Sequence, residues 1–217
     1  LSPYGYCANN PTIFIDPLGM DIYRFDEDAG QVILFEENDD EFDVIGKFKY
    51  DEKSGNYILK RNKKGEAKTH IDNIEKGILK DGMNFMTNDN AIAVGGEGQP
   101  TVEGFQDFIV QFSDMIDKEI GGYYMSKDGS DDVSHIYVSR YLKNTENVAI
   151  SRFEPYCYAP ELINIKPHTN FHTHLSKFDN LSRLTPSSQD RQFKNNQKIN
   201  NLKRFIILTR GELPIEY

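Results

Sequence analysis

The stretch from Val102 to Met125, VEGFQDFIVQFSDMIDKEIGGYYM, decides how this chain is read. Phe105, Phe108, Ile109, Phe112, Met115 and Ile116 recur at helical spacing and form one apolar stripe over about residues 102–118. Glu119 falls where that helix ends, and Ile120 to Met125 follows as a strand. Downstream, His135 to Tyr141, Leu162 to Ile165, Asn170 to His174 and Phe205 to Leu208 read as further strands, with a turn at Asp128-Gly129. Pro186-Ser187 opens a second helix that runs to about Lys203. Mixed strands and two helices in this order predict an α/β (α+β) sandwich over residues 101–217.

Upstream the pattern changes. Ile22 to Phe25 and Val32 to Phe35 flank Asp28-Ala29-Gly30 as a hairpin, and Phe42 to Tyr50 faces Asn56 to Leu59 across a second turn. Residues 21–100 are therefore expected to be a small antiparallel β-rich segment, a meander, closed by a glycine-rich linker from Asp81 to Thr101. Gly95-Gly96-Glu97-Gly98 lacks the Lys-Ser/Thr ending of a phosphate loop, and no catalytic constellation is visible before the helix.

The composition excludes several classes. The 217 residues carry a net charge of −9, which argues against a general nucleic-acid coat, so nucleic acid is not the expected partner. Mean hydropathy is −0.61 and no apolar run approaches the ~20 residues of a membrane span. Two cysteines, Cys7 and Cys157, make at most one bridge and no four-cysteine zinc site. Residues 21–60 hold twelve acidic against five basic side chains, whereas 166–217 hold nine basic against four acidic, so front and back read as different units. The chain begins at Leu1 with no signal segment behind it, as expected of a piece cut from a longer polypeptide.

The chemistry concentrates at His172-Thr173-His174. Side chains at i and i+2 of a strand share a face, so both imidazoles can point at one ion. A catalytic zinc site takes three protein ligands and leaves a position for water, and Asp190 in the first turn of the second helix can supply the third. Ser187 and Asp190 also have the spacing of a helix capping box, and an incidental His-x-His on a strand needs no metal. His168 reads as a loop residue or a support for a ligand, and His70 and His135 as surface or core. Cys157 has no local signature of a cysteine protease, and neither half of the zinc-deaminase signature occurs.

Glu119 after the first helix, then His172-Thr173-His174, then Pro186-Ser187-Ser188-Gln189-Asp190 resembles the JAB/JAMM metallopeptidase motif, over roughly residues 102–217. The resemblance implies a zinc ion (Zn2+) held by His172, His174 and Asp190, with Glu119 as the general acid–base group and Ser187 as a donor to the oxyanion. It implies cleavage of a peptide or isopeptide bond in a protein substrate, such as a ubiquitin-like conjugate. The chain departs from the pattern in having Leu175 where the family has proline, and in a twelve-residue spacer between His174 and Ser187. Glu154 and Glu161 compete with Glu119 but lack the preceding amphipathic helix. A nearer pair, Ser176 and Asp179, follows His174 too closely for Asp179 to belong to a separate helix.

The first twenty residues carry a second resemblance. Asn9-Asn10-Pro11, four residues, then Asp16-Pro17-Leu18-Gly19-Met20 resembles the end of an Rhs (YD-repeat) core, where the family joins a variable toxin and often cleaves itself, here between Met20 and Asp21. This implies a toxin delivered from a bacterium into a target-cell cytoplasm. Its expected partners are an Rhs core or delivery machinery and a cognate immunity protein. The competing expectations are a nuclease toxin of the same carrier and a non-catalytic binding module.

Overall fold

The computed structural model describes residues 21–38, 41–127, 130–144, 165–196 and 202–217. The Rhs-like junction, the Asp128-Gly129 turn, Glu154, Cys157, Glu161 and Leu162 to Asn164 lie outside them. The chain divides into two compact units between Met83 and Asn84.

In the first unit, β1 (Asp21–Asp26) and β2 (Gln31–Glu36) form the expected hairpin, closed by Gly30 at φ 67°. The remainder is not a simple antiparallel meander. β3 (Phe42–Gly46) lies parallel to β1 and antiparallel to β6 (Thr69–Glu75), giving the sheet order β2-β1-β3-β6. The physical reason is burial. Asp43, Val44, Ile45 and Gly46 are buried in succession, which requires a central strand covered on both faces. β4 (Phe48–Asp51) and β5 (Asn56–Leu59) form a separate two-stranded ribbon, and Leu59 and Phe48 return to pack on Ile22 and Val44.

The second unit is mixed α/β and mostly strand. Its sheet has the order β12-β11-β10-β8-β9-β7, built from β7 (Asn90–Ala93), β8 (Gly121–Ser126), β9 (His135–Val138), β10 (Lys166–Thr173), β11 (Arg204–Leu208) and β12 (Ile215–Glu216). β10 and β11 are parallel and the other pairs antiparallel. β7 occupies part of the expected linker. It pairs with β9 from Asn90 to Ala93, so residues 84–100 belong to this unit rather than to a connection.

Helix α1 (Val102–Ile116) matches the apolar stripe. The Thr101 hydroxyl caps it by accepting from the Gly104 N–H at 2.9 Å, and Asp117 ends it in the left-handed region at φ 56°. Its core face meets the sheet through Phe105 against Phe171, ring centres 5.6 Å apart. Opposite Phe171 on β8 is Gly122, where an added Cβ would lie 2.0 Å from the Tyr137 carbonyl oxygen and 2.8 Å from the Phe171 ring.

Two short helices follow β10. α3 (Ser188–Asn196) is the expected second helix, although Leu202 and Lys203 lie outside it, and its Phe193 packs edge-on to Phe205 of β11. α2 (Asn180–Leu184) corrects the sequence expectation. Asp179 does begin a helix of its own, accepting from the N–H and hydroxyl of Ser182, both at 2.9 Å. No helix among the described residues is long and apolar enough to cross a membrane.

Candidate metal centre

The site is assembled at one end of β10. Alternation sends Phe171 and Thr173 toward α1, while Asn170, His172 and His174 line a pocket of about 450 Å³. His172 and His174 are buried, and their Nε2 atoms stand 3.1 Å apart. Asp190, in the first turn of α3, brings Oδ1 within 3.4 Å of His172 Nε2 and Oδ2 within 3.7 Å of His174 Nε2. The three residues expected as ligands thus form one group that could hold a metal ion.

The donor set fits zinc. Ligand bonds of about 2.0–2.2 Å in a tetrahedron put neighbouring donor atoms about 3.3–3.5 Å apart, close to the separations seen. Tautomer chemistry agrees. A carbonyl oxygen can only accept, so the contact of His174 Nδ1 with the Arg183 carbonyl at 3.1 Å places a hydrogen on Nδ1 and turns Nε2 toward the pocket. Arg183 belongs to α2, so the segment between His174 and Ser187 supplies the group that orients the His174 ring. Its start is also tied down, because Asp114 of α1 accepts from the Ser176 N–H at 2.8 Å and the Ser176 hydroxyl at 2.6 Å.

Electrostatics reflect the clustering. Burial by itself would raise the Asp190 carboxyl, but hydrogen bonds with His172 and His174, the charge of His172 and the bond from Ser187 hold it well below the usual range. Burial by itself would lower His174, but the hydrogen bond to Asp190, the charge of Glu119 and the Arg183 carbonyl raise it. Asp190 is thus held ionised beside the two imidazoles.

Ser187 and Asp190 make the reciprocal bonds of a capping box: the Ser187 N–H donates to Asp190 Oδ2 at 2.6 Å and the Asp190 N–H to Ser187 Oγ at 3.2 Å. The structural and chemical readings of this pair coexist. Ser187 Oγ accepts in the cap and keeps its own hydrogen to donate, and Ser187 lines the pocket.

Glu119 lines the same pocket. Its position follows from the residues on either side. Ser113 Oγ donates to the Lys118 carbonyl at 2.5 Å, and Ile120 exchanges bonds with Thr173: its N–H donates to Thr173 Oγ1 at 2.9 Å and its carbonyl accepts the Thr173 N–H at 2.8 Å. Glu119 is thus pinned between two tethered residues at the end of β10.

His168 sits within β10 rather than in a loop. It is buried, its Nδ1 lies 2.9 Å from Thr169 Oγ1, and it does not line the pocket. Two features of the site had no sequence signal. The Arg183 carbonyl is backbone and invisible to motif reading. Tyr217 reaches the pocket through the pairing of β12 with β11, a contact with no spacing relation to the histidines. Burial, and then the negative charge of Asp190, raise the Tyr217 phenol above its ordinary value, so it remains a donor.

Comparison of the chain with protein-family models, with curated proteins and with solved structures finds no match.

Proposed function

We propose that the second unit is a zinc-dependent peptidase or isopeptidase of JAB/JAMM type, with an α/β sandwich as its scaffold. The observation that carries this reading is the convergence of His172 Nε2, His174 Nε2 and the Asp190 carboxylate in a pocket that Glu119 and Ser187 also line. Three protein ligands of the His-His-carboxylate kind leave a fourth position open, the pattern of catalytic rather than structural zinc.

His172, His174 and Asp190 hold the ion in this reading. The chemistry a bound zinc ion supplies is activation of water and polarisation of a scissile carbonyl. Glu119 takes a proton from the attacking water at its carboxylate and passes it to the leaving nitrogen. Ser187 donates its hydroxyl hydrogen to the carbonyl oxygen as negative charge develops there. The Arg183 carbonyl keeps the His174 ring in its working tautomer.

The biological setting rests on the motif in residues 1–20 alone: a toxin released from an Rhs-type carrier, delivered into a target cell and matched by an immunity protein. The experiment for the enzymatic claim compares wild type with Glu119→Gln on a panel of peptide and isopeptide conjugates. The variant is expected to keep its metal and lose at least ~100-fold in turnover. Full activity in Glu119→Gln removes Glu119 from this role. Metal binding with no turnover on any conjugate favours a binding module, and plasmid degradation favours a nuclease.

A further inference from the structure

Tyr217 follows β12 and lines the pocket with His172, His174 and Asp190. Its backbone is held on both sides: its N–H donates to the Phe205 carbonyl at 3.0 Å, and its carbonyl accepts from Lys194 Nζ. Its ring stands edge-on to His172, centres 6.1 Å apart, and lies 6.2 Å from the Phe205 ring. The Lys194 ammonium lies 5.6 Å from the centre of the Tyr217 ring. Every part of the residue is engaged except the hydroxyl. That oxygen is buried and has no hydrogen-bond partner among the described residues.

Such a group needs an explanation. A buried hydroxyl without a partner is destabilising, and phenylalanine would make the same ring contacts without that penalty. The nearby polar side chains are already committed to one another. His172, His174 and Asp190 converge, and Asp190 is further bound by the Ser187 N–H. The donor that remains suits an acceptor arriving from outside.

Building on the metal centre proposed above, we infer that Tyr217 is an oxygen-binding residue of this site: its hydroxyl donates a hydrogen bond to the carbonyl-type oxygen of a ligand held by His172, His174 and Asp190. Tyr217 and Ser187 then make a two-donor cradle, which selects amide, hydroxamate or carboxylate oxygens over ligands without an acceptor. A phenol hydrogen bond strengthens as the accepting oxygen becomes anionic, so the contact tightens along an acyl-transfer reaction.

The test uses the full chain loaded with Co2+ and acetohydroxamate as the probe, followed by the visible absorption of the bound metal. Tyr217→Phe is expected to bind acetohydroxamate about tenfold more weakly, while its Co2+ affinity stays within about twofold of wild type. Its melting temperature should be unchanged or higher, because no existing hydrogen bond is removed. Equal hydroxamate affinity in the two proteins overturns the inference and leaves the metal centre standing. A lowered melting temperature with equal hydroxamate affinity also overturns it, by assigning the hydroxyl a structural role. Failure of both proteins to take up Co2+ overturns the inference together with the metal centre.

Discussion

The His174 Nδ1 hydrogen is donated to the carbonyl oxygen of Arg183 at 3.1 Å, and this one bond decides which nitrogen faces the pocket. It joins a side chain at the end of β10 to the backbone of α2, a helix of five residues inside the spacer between the second histidine and Ser187. The spacer therefore contributes to the site rather than simply spanning it.

Loosening α2 should be felt at the metal. Asp179→Ala removes the acceptor for the Ser182 N–H and hydroxyl, a capping loss of about 1 kcal/mol. Metal affinity is expected to fall about fivefold, measured by competition with a chelating dye. Arg183→Ala keeps the carbonyl and should leave affinity nearly unchanged, although it breaks the exposed ion pair with Glu212.

Thr173 holds the backbone beside Glu119. Thr173→Val keeps the shape of the side chain but strips the Ile120 N–H and the Ser113 hydroxyl of a buried partner. The expected cost is about 1–3 kcal/mol in urea unfolding. Turnover should fall more than metal affinity does, because the lost bonds lie on the Glu119 side, whereas the backbone of residue 173 between the two histidines keeps its bond to the Ile120 carbonyl.

Much of this site was legible because period and spacing are local signals. The stripe from Phe105 to Ile116 gave the helix, and the i, i+2 pair gave a shared face for His172 and His174. What was hidden depends on long-range pairing or on backbone groups. β7 is four residues between Asp89 and Val94, and only its pairing with β9 makes it a strand. The parallel β1–β3 contact joins segments with no shared local pattern. α2 is too short to show a period, and Asp179 looked too close to His174 to begin a helix.

Gly122 has no room for a side chain. A Cβ there would meet the Tyr137 carbonyl oxygen at 2.0 Å, and backbone within a sheet cannot move aside cheaply. Gly122→Ala should destabilise the second unit by about 3 kcal/mol, read by denaturant unfolding. A loss below about 0.5 kcal/mol would contradict this packing.

The first unit has a separate pH dependence. Asp43 is buried, with Oδ1 3.4 Å from Lys76 Nζ; Lys76 Nζ also pairs with Asp21 at 2.7 Å. Burial pushes the Asp43 carboxyl up to about 6, against the opposing pull of Lys76, while the negative charge of Asp21 adds to the rise. The folded state therefore holds the proton where the unfolded chain has released it. Stability is greatest below about pH 4 for this group and declines as pH rises to about 6, by an amount on the order of 3 kcal/mol. Asp43→Asn should remove that slope and raise the melting temperature at pH 7, with Lys76 keeping Asp21 as its partner.

The central claim is that His172, His174 and Asp190 form a metal centre, and the most direct measurement is elemental analysis of the purified full chain beside His174→Ala. The account predicts close to one zinc per chain in the wild type and a loss of at least ~90% of it in the variant. Wild-type protein that stays free of zinc after reloading, or a variant that keeps its full complement, would contradict it.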